Sequence, residues 1–410
     1  MSDGPHSGTI LPIMSQGQVP PPEFVLRGHG ANVVDCCYFP LDDSILCSVD
    51  ALSDLHVWDL SIGVCLWRQC LWPDKQGSLS LCFIPSTFTP SSSTDEETKD
   101  INDDDVSGMI LCVQGRLGMV CRWRFVVGQP VPGVPRTVTM TPAGPSLPSL
   151  PFTFCRMVPS QLVPNSIYVP CWEKESACRR LALDQPHEKA NVSNASQSYG
   201  AEETDTGLLM CLHEWKYREL LLCGHEDGLV RGWTPLEHEK NGKNGKKTPQ
   251  LVLEPPSSIA LHDRPMVTAL CTWEHYLMVG YARPLLSIFD GRGKGGEPIC
   301  RLDADSARMS SLWQSWKMHH ASSNNGSGGE PKSAVGVLAW RRDGRIVAMG
   351  TWSGAVILWD ARKWQPLAVL EPSAVQASIR AIAYPSTASV SGSMTVGAGA
   401  SLFGYRLYGK

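Results

Sequence analysis

Leu55-His56-Val57-Trp58-Asp59 and Ala355-Val356-Ile357-Leu358-Trp359-Asp360 are two short runs that share one ending. Their apolar side chains alternate in the manner of a half-buried strand, and each run closes on Trp-Asp. Upstream of the first run, Gly28-His29 precedes Trp58-Asp59 by about thirty residues, with apolar strands at Val33 to Phe39 and Ile45 to Val49 between them. A tryptophan at that point fills the gap between neighbouring sheets, and a Gly-His turn lets a histidine hydrogen-bond within its own sheet. Both residue types are therefore structural.

This is the WD-repeat pattern. Trp123, Trp233, Phe289, Trp359 and Tyr405 end similar runs, and a degenerate unit at 152–183 fills the one double-length gap. Asp227 and Asp290 complete the repeat signature formed by Gly28, His29, Trp58, Asp59, Trp123, Trp233, Trp359 and Asp360. The expected fold is all-β: one seven-bladed WD-repeat β-propeller over 23–410, preceded by a disordered tail at 1–22. Six blades is the alternative if 152–183 is not a unit. An open array would leave two sheet edges unpaired. Phe24-Val25-Leu26-Arg27 is therefore expected to close the ring by joining the last blade beside Leu402 to Leu407.

Trp58 and Tyr405 are 347 residues apart, too far for six repeat steps. Long inserted loops are expected at 86–107, 129–151, 184–206, 237–250 and 291–333, and removing them leaves about 37 residues per step, close to a blade. The first insert is acidic, with Asp95, Glu96, Glu97, Asp100, Asp103, Asp104 and Asp105 against Lys99. It reads as a solvated loop or a docking segment. The second is rich in proline and reads as an extended connector or a polyproline ligand. Lys240, Lys243, Lys246 and Lys247 form a basic loop, either solvated or serving nuclear import. In the longest insert Met309, Leu312, Trp313 and Trp316 fall on one helical face, so Trp313 and Trp316 either pack on the propeller or meet a partner.

Hydrophobic residues make up 42% of the 410 positions and charged residues only 19%, enough to bury a large core. A net charge of -4 gives no basic footprint for nucleic acid or an anionic membrane surface. Residues 1–22 carry neither the basic cluster nor the apolar run of a secretory leader, so a soluble intracellular protein is expected. The 15 cysteines include no CxxC pair and are expected to be reduced, buried thiols.

Motifs for chemistry are weak. Gly291-Arg292-Gly293-Lys294-Gly295-Gly296 lacks the spacing of a phosphate loop and reads as a turn. His319-His320 has no third ligand at metal spacing. No GxSxG elbow occurs. Neither an enzyme nor a cofactor or metal is expected, with a propeller hydrolase as the remaining catalytic alternative. Trp359-Asp360-Ala361-Arg362 matches the WDxR ending that resembles substrate receptors of cullin-RING ubiquitin ligases, where Arg362 would meet the adaptor.

Several stretches carry a closer resemblance: Pro22-Glu23-Phe24-Val25-Leu26-Arg27-Gly28, Gln114-Gly115-Arg116 with Trp123, Leu221 to Gly228 ending at Trp233, Gly344-Arg345-Ile346-Val347-Ala348 with Trp352, and Gln365-Pro366-Leu367-Ala368-Val369-Leu370. In these the chain resembles the WD-repeat family of guanine nucleotide-binding protein beta-subunit-like protein 1 and ASTRA-associated protein 1. It departs from the family at Leu117, Arg124 and Ser353-Gly354. The resemblance implies a non-enzymatic scaffold. Such a scaffold works with the TTT co-chaperone on phosphatidylinositol-3-kinase-related kinases in cytoplasm and nucleus, as a monomer within a hetero-complex. Arg116 and Trp352, which lie in the resembling stretches, join Arg362, Trp313 and Trp316 as candidate interaction residues. A G-protein role is not expected, because residues 1–22 are too rich in Pro and Gly for a coiled-coil helix.

Overall fold

A computed structural model describes residues 21–407 except 73, 75, 86–108, 132, 172, 184–197, 201–205, 236–248, 256–262, 294–297, 304–333, 373–376 and 387–391. Its strands form seven antiparallel sheets, each of four or five strands. The first blade is typical: Val33–Phe39 is innermost, followed outward by Asp42–Asp50, Asp54–Asp59 and Val64–Cys70. The innermost strands of the other blades are Ser78–Pro85, Val158–Pro159, Leu209–Trp215, Val267–Trp273, Val335–Trp340 and Ala381–Ala383. Each lies beside the next and the last meets the first, so the blades ring a central channel in a seven-bladed β-propeller.

The ring closes as the sequence predicts. Phe24–Arg27 is the outer strand of blade 7 and pairs antiparallel with Ser401–Arg406, Phe24 opposite Gly404 and Leu26 opposite Leu402.

Buried side chains divide into seven clusters, one for each contact between neighbouring blades. The aromatic that ends each third strand supplies six of them: Trp58 lies between blades 7 and 1, Trp123 between 1 and 2, and Trp233 between 3 and 4. Phe289, Trp359 and Tyr405 serve the next three contacts. In every case the aromatic pairs with an apolar residue near the start of the second strand, as Leu221 pairs with Trp233 and Val347 with Trp359. In blade 3 the same register places Leu181 opposite Ile167. The unit at 152–183 is thus a true blade, formed by Val158–Pro159, Ser166–Pro170, Ala177–Ala182 and Ser198–Gly200, with leucine in the aromatic's place.

Three inserts contribute strands, which corrects their reading as loops. Val138–Pro142 and Leu147–Pro148, inside 129–151, pair with Met119–Val127. Ser198–Gly200 lies in 184–206 and Cys300–Asp303 in 291–333, each the outer strand of its blade. Outer strands pack little apolar surface, as the mostly exposed Val64–Cys70 illustrates, so alternation is faint there. Proline is tolerated because one edge makes no ladder bonds. The acidic run 95–105, the lysine loop and the stretch around Trp313 and Trp316 lie outside the described residues. Among the described residues the cysteines form no disulfide and most are buried, but Cys65 and Cys70 stand exposed on the outer strand of blade 1.

Candidate interaction surface

The repeat signature is spent inside the fold. His29 Nε2 lies 2.7 Å from Ser48 Oγ, and Trp58 Nε1 donates to the same oxygen at 2.8 Å. His29 Nδ1 lies 3.3 Å from Asp50 Oδ2. Burial pushes the Asp50 carboxyl up, but the hydrogen bond from His29 and the amides of Asp54 and Leu52 outweigh it and hold the group below the usual carboxylate range. Asp59, Asp290 and Asp360, which follow the third-strand aromatics, each accept the amide two residues on, from Ser61, Arg292 and Arg362. These are side-chain turns that lead the chain into the outer strand. Asp227 does the same for Leu229 before the third strand of blade 4 and forms an ion pair with Arg231. Gly28, at φ 141°, lies against His56 and Trp58, where a strained backbone favours glycine.

Gln114 locks blade 2 to blade 3. Its amide nitrogen donates to the Cys155 carbonyl at 3.2 Å and to Ser149 Oγ at 3.3 Å, and its oxygen accepts from the Met157 amide at 2.7 Å and Ser80 Oγ at 2.8 Å. Gly115 carries the ring of Trp72, which a Cβ would meet at 2.9 Å. Arg116 then turns the chain toward the third strand, its amide on the Gly77 carbonyl and its own carbonyl accepting from Phe152.

Turns from second to third strands and segments entering innermost strands lie at one end of the channel. Arg116, Arg156, Arg380 and Trp352 all sit there. Arg156 enters blade 3 yet reaches past the inner edge of blade 2. It donates to the Val34 carbonyl at 2.8 Å and the Arg380 carbonyl at 2.6 Å, and pairs with Asp35 at 3.3 Å. Asp35 is already engaged by the amides of Cys36 and Leu81, yet burial outweighs these partners and raises its pKa. Arg116 Nε is buried and makes no hydrogen bond among the described residues. Partial desolvation by the surrounding protein and the like charges of Arg116 and Arg156 lower the pKa of Arg380. Apolar groups flank the arginines: Phe152 is 77% exposed, Phe154 67% and Trp352 47%. The amide of Trp352 is held by the Ala334 carbonyl, and its ring edge would stand 3.0 Å from a Cβ on Gly336.

The opposite mouth is a cavity of about 780 Å3, lined by His213, Glu214, Trp273, Trp340 and Tyr384 among others. Glu214 accepts from Ser160 Oγ and the Gln161 and Leu162 amides, tying blade 4 to blade 3. Burial lowers the His213 pKa to about 4. A second cleft of about 570 Å3, against Ile62 and Val131, is bounded by Arg136, which pairs with Asp42 and Asp59 across two blades. Among the described residues no group of three or more His, Cys, Asp or Glu is placed to hold a metal, and no helix is long and apolar enough to cross a membrane.

Of the sequence-predicted interaction residues, Arg116 and Trp352 share one rim. Arg362, exposed in the turn from third to outer strand of blade 6, stands on the other, and Trp313 and Trp316 lie outside the described residues. Arg156, Arg380, Phe152 and Phe154 had no signal beyond their place just before innermost strands, because rim residues follow no fixed spacing.

No family model matches the sequence, and no curated protein matches it. Among solved structures, the chain is similar to the crystal structure of Raptor from Chaetomium thermophilum, with a TM-score of 0.60 at 13% identity over 94% of this chain. It spans 29% of that protein's length. At this identity the likeness is one of fold alone, that of a β-propeller.

Proposed function

We propose that this chain is a non-enzymatic propeller scaffold that joins the TTT co-chaperone in assembling and stabilising phosphatidylinositol-3-kinase-related kinases, in cytoplasm and nucleus. One observation carries the scaffold reading. His29, Trp58 and the aspartates of the repeat signature are consumed in holding blades and turns, whereas the guanidiniums of Arg116 and Arg380 and the rings of Phe152, Phe154 and Trp352 are left on a rim. Such unspent groups suit a protein surface better than a reacting centre, which needs a nucleophile or an acid-base pair in mutual reach. The finer assignment rests on the sequence resemblance, above all Gln114-Gly115-Arg116 and the stretch from Gln365 to Leu370.

Affinity purification of the tagged full chain from its own cells, with mass spectrometry, tests this beside an Arg362→Ala variant. TTT subunits and the large kinases are expected with both. A cullin-ligase adaptor recovered with the wild type and lost from the variant would replace the reading with that of a ubiquitin-ligase substrate receptor.

A further inference from the structure

The rim bearing Arg116 carries more positive charge than its neighbours use. Arg156 spends its guanidinium on two carbonyls and on Asp35, whose oxygens also accept two amides. Arg116 and Arg380 have no carboxylate partner among the described residues, and the charges that bear most on Arg380 are two more arginines. A partly desolvated guanidinium without a partner is costly, and a carboxylate from outside removes that cost while forming two parallel hydrogen bonds.

We propose that this mouth of the channel receives an acidic peptide segment of a partner protein, two of whose carboxylates pair with Arg116 and Arg380 while an adjacent apolar side chain lies against Phe152, Phe154 or Trp352. The charge selects an anion, and the exposed rings select a polypeptide over a small anion, which would leave them uncovered. Nucleic acid fits less well, since three arginines around one channel mouth make no stripe along a backbone and the chain's net charge is -4. The chain's own acidic run is tethered between Ser78–Pro85 and Met109–Gly115 at Pro85 and Met109, the ends away from this mouth. The inference deepens the scaffold reading and rests on it only in taking the ligand to be a protein.

The test is selection of a random 12-residue peptide display library on the immobilised full-length chain, followed by fluorescence polarisation of the enriched peptides. Enrichment of sequences with two or more Asp or Glu close to an aromatic or leucine is expected. Arg380→Ala and Arg116→Met, the latter keeping the aliphatic stem over Gly77, should each weaken those peptides about tenfold, and the pair more. Phe152→Ser should also weaken them, and Arg362→Ala on the other rim should not. An unchanged melting temperature separates lost binding from lost fold, and if Arg116→Met unfolds, Arg380→Ala decides alone. Enrichment of neutral or basic peptides, no enrichment, or equal binding by Arg380→Ala overturns the proposal. So does binding that millimolar inorganic phosphate abolishes and Phe152→Ser leaves alone, which marks a small-anion pocket. A purification that finds no TTT subunit would sink the kinase reading and leave this selection unaffected.

Discussion

The ring of Phe24 lies on the bare α-carbon of Gly404, where a Cβ would collide with Phe24 Cε1. The contact joins the strand Phe24–Arg27 to the last blade, at the one of its four register pairs whose partner is a glycine. Gly404→Ala must push Phe24 out and strain the closing strand, a cost of about 1–3 kcal/mol. Chemical denaturation should show that loss, and Phe24→Ala/Gly404→Ala should lose less than the two single changes added together. Equal additivity would mean that the contact does not hold the closure. Removing residues 1–27 should go further and leave Ser401–Arg406 as an open edge that aggregates.

Ser48 is the hinge of the buried chain in blade 1. Trp58 donates to its oxygen, and the hydroxyl is free to donate to His29 Nε2 while His29 Nδ1 serves Asp50. Ser48→Ala leaves the indole N–H and a histidine nitrogen unpaired in a dry site, costing about 2–4 kcal/mol for the two. Adding Trp58→Phe should recover part of that loss, because the orphaned donor goes with it. Urea unfolding of the two variants checks this.

Blade count and closure were legible because each third-strand aromatic does the same packing task, and Trp58, Trp233 and Trp359 announce it in sequence. The third blade was faint because Leu181 does that task without a ring. Outer strands such as Val138–Pro142 escaped notice for a related reason: with one face in water and one edge unpaired, nothing demands apolar alternation, and their prolines looked like linker. The rim was half legible. Arg116 was singled out through the resembling stretch Gln114-Gly115-Arg116, whose first two residues make contacts between blades that need glutamine and glycine. Arg156 meets Arg380 through a fold that brings positions 224 apart together, a separation that no local pattern encodes.

His225 gives the fold an acid limit. Burial, reinforced by the nearby charge of Arg231, lowers its pKa to about 4, and neither ring nitrogen has a hydrogen-bond partner among the described residues. The unfolded chain binds this proton near pH 6.5 and the native chain only near 4, so the native state is favoured fully above 6.5 and progressively less as pH falls through that window. The interval corresponds to about 3 kcal/mol. His225→Phe, whose ring can keep the edge contact with Trp233, should flatten the fall in melting temperature between pH 6.5 and 4. An unchanged slope would assign the acid sensitivity to other groups.

Gln114 connects stability to the rim. Four bonds converge on its amide, two of them to the segment that carries Phe154 and Arg156. Gln114→Leu keeps the volume but strands the Met157 amide and the Cys155 carbonyl between blades 2 and 3, at a cost of about 2–4 kcal/mol. The same change frees the turn that aims Arg116, so acidic-peptide affinity should fall although every arginine is still present. Gln114→Glu keeps the acceptor for Met157 and Ser80 and loses the donor for Cys155 and Ser149. It should lie between wild type and Gln114→Leu in both melting temperature and peptide affinity. If stability falls along that series while affinity stays constant, Arg116 is positioned by its own turn and not by the bond between blades. If both fall together, the polar lock that holds blade 2 to blade 3 is also what presents the rim.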